Sequence, residues 1–431
     1  MLIDFKVRNF TSFRNEAELS MVAAPITEYQ QENTARYGTL ELLKSAVIYG
    51  ANASGKSNLI RAMEFFCQFV LNSAKNLPAF EKIPVEMFKL NETAENEPAF
   101  FEMRFIIDDR VCRYGFKVTP GEVLAEWLYL RNRPSSKEAM LFIRDRQNIS
   151  IGNKFGPGRD LVRLTRSNSL FLSVASQFNV QIAMDITRWL HRGFNVLSGL
   201  RNEYKVYTQS RLADDPVFKK RILQLLKMGD FGIADLSITK TPIDQEHVPA
   251  MVKESLNRYL HKTELTFERI DIRTRHTKYN DKHKPAGEVL FDLEREESHG
   301  TQQLFVLAGP IIDTLEKGKT LVIDEMDSHL HPQLLSLLAK LFHSLRYNRN
   351  NAQLIFVTQN SRLLSEALFR RDQIWFTSKN KFGESELFSL YEFKENGEKI
   401  RKDEAFEKNY LLGKYGAVPQ LTELDLFDQE E

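Results

Sequence analysis

Gly50-Ala51-Asn52-Ala53-Ser54-Gly55-Lys56-Ser57 has the residue types and spacing of a phosphate cradle. Closely spaced backbone N–H groups form a concave anion nest, the lysine ammonium reaches the β- and γ-phosphates of a nucleotide, and the serine hydroxyl is a ligand for Mg²⁺. The motif acquires meaning only in context. Here Ser45 to Tyr49 is apolar on both faces and Asn58 to Phe66 has helical period, so the loop joins a buried strand to the positive end of a helix dipole. Gly50, Asn52, Ser54, Gly55, Lys56, Ser57 and Asn58 are therefore the expected nucleotide-binding residues, with ATP and Mg²⁺ as the expected ligands.

A second constellation is Lys319-Thr320-Leu321-Val322-Ile323-Asp324-Glu325, an apolar strand that delivers two carboxylates at its end. Asp324 would hold Mg²⁺, with Ser57, and Glu325 would polarise the attacking water. Successive side chains on a strand point to opposite faces, so the two acids can do different work only if the strand ends at Asp324. Next come Asp327, read as turning the chain across a dimer seam, and His329 and His331. Two histidines at i, i+2 without a third ligand do not make a metal site, and Pro332 suits the first turn of a helix.

A core must hold these elements together. The 431 residues are 42% hydrophobic, enough to bury a sizeable interior in two or three domains, and 59 Lys and Arg balance 58 Asp and Glu. Balanced charge excludes a global field that would gather nucleic acid or anionic membrane; any such surface is local. Cys67 and Cys112 fall inside apolar helical and strand patterns, which argues against a disulfide scaffold or zinc site and for a reducing cytoplasm. The opening residues alternate like a strand without a signal peptide's apolar core, and no stretch approaches the roughly 20 apolar residues of a membrane span.

Alternation predicts paired strands over Leu2 to Arg8 and Ala17 to Val22, then an antiparallel β layer over Phe100 to Ile107, Val111 to Val118, Leu124 to Leu130 and Met140 to Arg144. The pattern turns helical from Gln181 to about Leu260, as in Ile182 to Leu190 and Phe218 to Met228. Strand character returns at Leu265 to Arg273 and Gly287 to Leu293. A βαβ rhythm follows through Lys319 to Asp324, Gln333 to Leu345 and Gln353 to Val357. The divisions expected are 1–180 (phosphate loop and β layer), 181–262 (helical insertion), 263–395 (second half of the sheet) and 396–431 (a charged tail).

In this order of elements the chain resembles the ABC-type branch of AAA family ATPases that holds RecF, the structural-maintenance-of-chromosomes (SMC) heads and the overcoming-lysogenization-defect (OLD) nucleases. The resemblance spans roughly residues 1 to 395. It implies an α/β fold, an ABC-type P-loop ATPase head with an antiparallel β layer and a helical insertion, working as a homodimer or higher homo-oligomer around sandwiched ATP. It also implies a signature motif ahead of the acidic strand. Glu297-Ser298-His299-Gly300-Thr301-Gln302 stands there, with Ser298 and Gly300 matching and His299 departing, and a hydroxyl and a glycine at a helix start suit a phosphate. The family's glutamine loop, a Mg²⁺ sensor, corresponds to Gln177. Gln359 stands where the family often has a histidine on the γ-phosphate; glutamine can hydrogen-bond there but carries no charge.

The stretch Arg370 to Phe376 and the run Tyr410-Leu411-Leu412-Gly413-Lys414-Tyr415-Gly416-Ala417-Val418-Pro419 resemble the ATPase component of AbiL (RloA)-type abortive-infection systems, which implies a separate effector. The expected function is thus an anti-phage ATPase switch that controls an effector, a nuclease or toxin in trans. The rival is a DNA-repair ATPase clamping nucleic acid, with Arg273, Arg275 and Lys278 along one strand edge as a phosphate track. The insertion is too short, and too poor in heptads, for a long coiled-coil arm.

Overall fold

The computed structural model describes residues 1–133, 136–198, 202–243, 267–395 and 397–418. The expected insertion over 244–262, the start of the next strand at Leu265 and the tail beyond Val418, Pro419 included, lie outside the described residues.

The chain opens with β1 (Leu2–Arg8) and β2 (Ala17–Ser20), a short helix α1 (Gln30–Asn33), the hairpin β3 (Thr34–Tyr37) and β4 (Leu40–Leu43), then β5 (Ser45–Gly50) and α2 (Lys56–Asn72). Four strands with the expected alternation follow: β6 (Ala99–Ile107), β7 (Arg110–Val118), β8 (Val123–Arg131) and β9 (Ala139–Asp145), closed by β10 (Asn148–Ile151). They join β1 and β2 in a seven-stranded antiparallel sheet of order β10-β9-β8-β7-β6-β1-β2. Along β6, Ala99, Phe101, Met103 and Phe105 are buried and Phe100, Glu102 and Arg104 are only partly so, as a sheet with one covered face requires.

Two helices come next, α3 (Phe171–Gln177) and α4 (Gln181–Arg192), then β11 (Phe194–Leu197). Beyond these lie α5 (Asn202–Asp214), α6 (Pro216–Met228), β12 (Ile233–Ile243), β13 (Phe267–Tyr279), β14 (Pro285–Asp292), α7 (His299–Lys317), β15 (Thr320–Ile323), α8 (Pro332–His343), β16 (Gln353–Val357), β17 (Ile374–Lys379), β18 (Ser385–Ser389) and α9 (Phe406–Leu411). The second sheet has order β11-β15-β16-β5-β17-β18, parallel except for its last pair. Every residue of β5, β15 and β16 is buried, as expected of parallel strands covered on both faces.

Helix α2 fills the space between the two sheets. Phe66 stacks on Phe116 at 5.3 Å and meets Phe5 edge-on at 5.9 Å, while Ile48, Val322, Ile355 and Val357 of the parallel sheet belong to the same core. Among its 17 residues, Leu59, Ile60, Ala62, Met63, Phe66, Cys67, Phe69 and Val70 are buried, covering about half of its circumference.

The expected helical lobe differs from what is observed. Ala183, Ile186 and Leu190 of α4 are buried in the main core, Trp189 stacks on Phe105 at 4.4 Å, and β11 pairs in parallel with β15. The chain divides instead into one compact unit of Met1–Gly199, Thr314–Asp327 and Leu335–Glu431, and a second of Leu200–Asp313 and Ser328–Leu334. The second unit is mixed: α5 and α6 accompany the antiparallel sheet β12-β13-β14. Asp215 caps α6 by accepting from the Phe218 N–H at 3.0 Å, with Pro216 in the first turn. On β13, Arg273 and Arg275 share one face and Lys278 has the opposite parity. Arg275 pairs with Glu288 at 3.3 Å and Arg273 stands opposite Asp292, so acids interrupt the expected phosphate track.

A buried ion pair ties the β layer to α3. The Glu126 carboxylate accepts from the Phe171 N–H at 2.7 Å, the Leu172 N–H at 2.9 Å and the Tyr114 hydroxyl at 2.9 Å, with Arg144 Nη1 at 3.5 Å. It thereby satisfies amides that a helix start leaves unpaired. Glu126→Ala would strand Arg144 as a buried lone cation. Urea unfolding of that variant should show a loss of about 3–5 kcal/mol, whereas a surface-like loss under about 1 kcal/mol would mean that the pair is not integral to the fold.

Candidate active site

The loop between β5 and α2 is shaped by two left-handed residues, Ala53 (φ 61°) and Gly55 (φ 115°). Gly55 also packs so closely that a Cβ there would lie 2.4 Å from Ser385 Oγ. It stands at the N-cap of α2, and no side chain caps that helix. The first-turn amides of a well-buried helix are thus left without a side-chain acceptor, which, with the left-handed turns, makes the anion nest.

A floor of hydroxyls sets the loop in place. Ser54 Oγ lies 2.5 Å from Thr377 Oγ1 on β17, and Ser385 Oγ on β18 donates to the Ser54 carbonyl at 2.7 Å. Ser12 Oγ lies 2.7 Å from Ser385 Oγ and accepts from Asn58 Nδ2 at 2.8 Å. Beneath the loop, the Tyr410 hydroxyl on α9 accepts from the Gly50 N–H, and its ring lies 5.6 Å from that of Tyr49. Lys56 is buried, with Nζ donating to the Gly50 and Ala51 carbonyls at 2.7 and 2.8 Å. Burial pulls its pKa below the ordinary lysine value, opposed by the charges of Asp324, Asp327 and Glu325.

Strand β15 ends at Ile323, as the division of labour between the acids requires. The Asp324 N–H still bonds the Leu197 carbonyl at 2.9 Å, but Glu325 adopts φ 50° and turns the chain, and the Met326 N–H returns to the Val357 carbonyl at 3.2 Å. One carboxylate is therefore half-buried and the other exposed. Burial raises the Asp324 pKa, partly offset by a hydrogen bond from the Ser57 hydroxyl. Asp324 Oδ1 is buried without any hydrogen-bond partner. A buried carboxylate oxygen of that kind, beside a serine hydroxyl and a phosphate loop, is chemically suited to Mg²⁺ and its waters.

A cleft of about 280 Å³ is lined by residues 52–58 together with Glu325, Asp327, Val357, Gln359 and Lys379. Asp327 Oδ2 accepts from the Gln359 N–H at 2.8 Å, fastening the segment after β15 to the end of β16. Asn52, Ser54, Gly55, Lys56, Ser57, Asn58, Glu325 and Gln359 thus come together, with Gly50 and Asp324 adjoining. Gln177 does not line the cleft; it is the exposed last residue of α3, in a segment that is helical throughout. Ser298 and Gly300 lie in the second unit, where Ser298 Oγ accepts from the Thr301 N–H at 3.2 Å and Gly300 abuts the His329 carbonyl. His331 Nδ1 accepts from the Gln333 N–H at 3.3 Å, and among the described residues no group of three or more His, Cys, Asp or Glu could hold a metal.

Ser12, Thr377, Lys379, Ser385 and Tyr410 were not found from sequence. Each acts through strand register or tertiary packing, and of the five only Tyr410 falls in a run singled out from sequence, the one that resembles abortive-infection ATPases.

A family model described as "AAA domain, putative AbiEii toxin, Type IV TA system" matches residues 45–365, well over half of the chain and the whole stretch from β5 to just beyond Gln359. The chain belongs to this AAA ATPase family. The SMC head domain from Thermotoga maritima is similar in structure, at a TM-score of 0.39 and 14% identity, over 90% of this chain and 98% of that one. No curated protein matches the chain. Among the described residues of this AAA ATPase, no helix is long and apolar enough to cross a membrane.

Gly55 offers a direct check on the loop. Gly55→Ala combines a left-handed backbone with a Cβ 2.4 Å from Ser385 Oγ, so it should cost about 1–3 kcal/mol locally and weaken ATP binding at least about tenfold by calorimetry. Wild-type affinity in that variant would disprove the geometry assigned to the nest.

Proposed function

We propose that this AAA ATPase hydrolyses ATP and uses the ATP-bound state as a dimerising switch over a separate effector in anti-phage defence. The observation that carries the hydrolytic part is the unpartnered, buried Asp324 Oδ1 beside Ser57, with Glu325 exposed on the adjoining cleft wall. In this reading the loop amides and Lys56 hold the polyphosphate, Lys56 exchanging its two carbonyl partners for phosphate oxygens. Ser57 and Asp324 would hold Mg²⁺, which when bound neutralises charge on the phosphates. Glu325 accepts the proton of a water as its oxygen bonds to the γ-phosphorus and the bond to the β-phosphate oxygen breaks, giving ADP and phosphate. Gln359, held by Asp327, orients that water as an uncharged donor and acceptor.

Ser298 and Gly300 do their work across the dimer, facing the phosphate of the opposite chain from the start of α7. The effector is supported by the toxin–antitoxin words of the family description and by the likeness of the Arg370 to Phe376 and Tyr410 to Pro419 segments to abortive-infection ATPases. A reducing cytoplasm suits the free, buried Cys67 and Cys112. A nucleotide biases two states only by its differential affinity for them, so the effector must prefer one.

The variants separate the roles. Lys56→Ala should weaken ATP binding about 10- to 100-fold, while Glu325→Gln should keep binding and slow phosphate release at least about 100-fold. Both variants binding like wild type in titration calorimetry would remove the assigned site. Mixing Lys56→Ala with Ser298→Arg chains should restore part of the activity, because one composite site then carries both lesions and the other neither. No rescue despite verified subunit exchange would mean that each chain works alone. Equal effector capture by wild type and both variants would sink the switch.

A further inference from the structure

We propose that Lys379 is a second cationic contact for the nucleotide polyphosphate, delivered by the hairpin that follows β17; this rests on the reading of the cleft as an ATP site. Strand register carries the argument. β17 runs parallel to β5, with Thr377 paired to Gly50, the last residue of β5 and the first of the phosphate motif. β5 stops there and β17 continues for two residues alongside the loop. Side chains two apart on a strand share a face. Thr377 directs its hydroxyl at Ser54 of the loop, 2.5 Å away, so Lys379 leaves the strand on the loop side and lines the cleft.

Charge and stiffness point the same way. Three carboxylates, Asp324, Glu325 and Asp327, surround a loop whose own cation is Lys56 alone, which leaves little positive potential for a polyanion. Lys379 is exposed and, among the described residues, pairs with no carboxylate, whereas Arg14 is held by Glu97 at 2.8 Å. The turn that carries it is fixed: Asn380 Oδ1 accepts from the Phe382 and Glu384 N–H groups at 2.9 and 3.0 Å, and the Gly383 N–H returns to the Asn380 carbonyl at 3.0 Å. Gly383 (φ +79°) supplies the left-handed backbone of the turn, at a place where a Cβ would be in van der Waals contact with Lys379 Cε at 3.7 Å. The lysine stem therefore lies against a rigid turn and its ammonium is free to meet phosphate. Lys381, by contrast, has its ammonium over the Phe382 ring at 5.1 Å.

Titration calorimetry with MgATP, MgADP and adenosine on Lys379→Ala, Lys379→Arg, Lys381→Ala and Lys56→Ala tests this, with melting temperatures to verify folding. Lys379→Ala should weaken ATP and ADP by roughly three- to tenfold, flatten their salt dependence and leave adenosine unchanged. Lys379→Arg should retain most of the affinity, and Lys381→Ala all of it. Wild-type ATP affinity in folded Lys379→Ala, alongside loss in Lys56→Ala, would overturn this proposal and leave the ATP site standing. Equal weakening of adenosine would overturn it too, by assigning Lys379 to the nucleoside. If the wild type binds no nucleotide, the ATP reading falls and this contact with it.

Discussion

An α-helix cannot satisfy its own first four N–H groups, and α2 meets that constraint in an unusual setting. Its flanks are packed between two sheets, through Phe66, Phe69 and Val70 on one side of the core and the neighbours of Ile48 on the other. Its start carries glycine where most helices carry a capping side chain. The orphan amides are therefore held in fixed directions at a surface cleft and are available to an anion. The other features of the site follow from keeping that helix end rigid. Thr377 and Ser385 brace the loop from one sheet edge, Asn58 is tied to Ser12, and Asp324 reaches Ser57 from the next strand but one.

The acidic wall obeys a different rule. A strand alone would point Asp324 and Glu325 to opposite faces, and the left-handed turn at Glu325 resolves this by ending the strand first. A non-glycine residue at φ 50° costs about 1 kcal/mol, and it persists here because Met326 is fastened to β16 immediately afterwards. The same segment then anchors Gln359 through Asp327. Asp324, Glu325 and the end of β16 are thereby tied together through four consecutive residues.

Much of this was legible in the sequence, and the losses have physical causes. The strands of the β layer were readable because one face is buried and Phe101, Met103 and Phe105 alternate with polar neighbours. The loop and the acid pair were readable because strand, glycines and lysine lie within one short segment. The edge of the second unit was not. Helix α4 has the same apolar period whether it packs in the main core or in an insertion, and β11, at four residues, is too short to signal the parallel pairing that decides the matter. β12 was read through as helix because Ile-Ala-Asp-Leu-Ser-Ile-Thr-Lys-Thr lacks a clean apolar face. Gln177 was matched to the family's glutamine loop, yet Glu126 starts a helix six residues before it, and that contact spans 45 residues. Lys379 and Thr377 owe their places to register with β5, which no local pattern encodes.

The position of β5 has a consequence for synthesis. Its neighbours in the sheet are β16 and β17, and the loop after it is braced by Thr377 and Ser385, partners of Ser54 and Ser12 across 323 and 373 residues. At about 5–20 residues per second, a ribosome needs on the order of 15–60 s after making β5 to produce the strands that flank it. Once Ile151 has been made the seven-stranded layer and α2 have all their parts, while β5, apolar on both faces, still has neither sheet neighbour. An unpaired apolar strand of that kind is a template for mispairing. The nascent chain must therefore shield β5, against its own β layer or with a chaperone, until the final third of the molecule arrives. The phosphate cradle is thus made long before the strands that complete it.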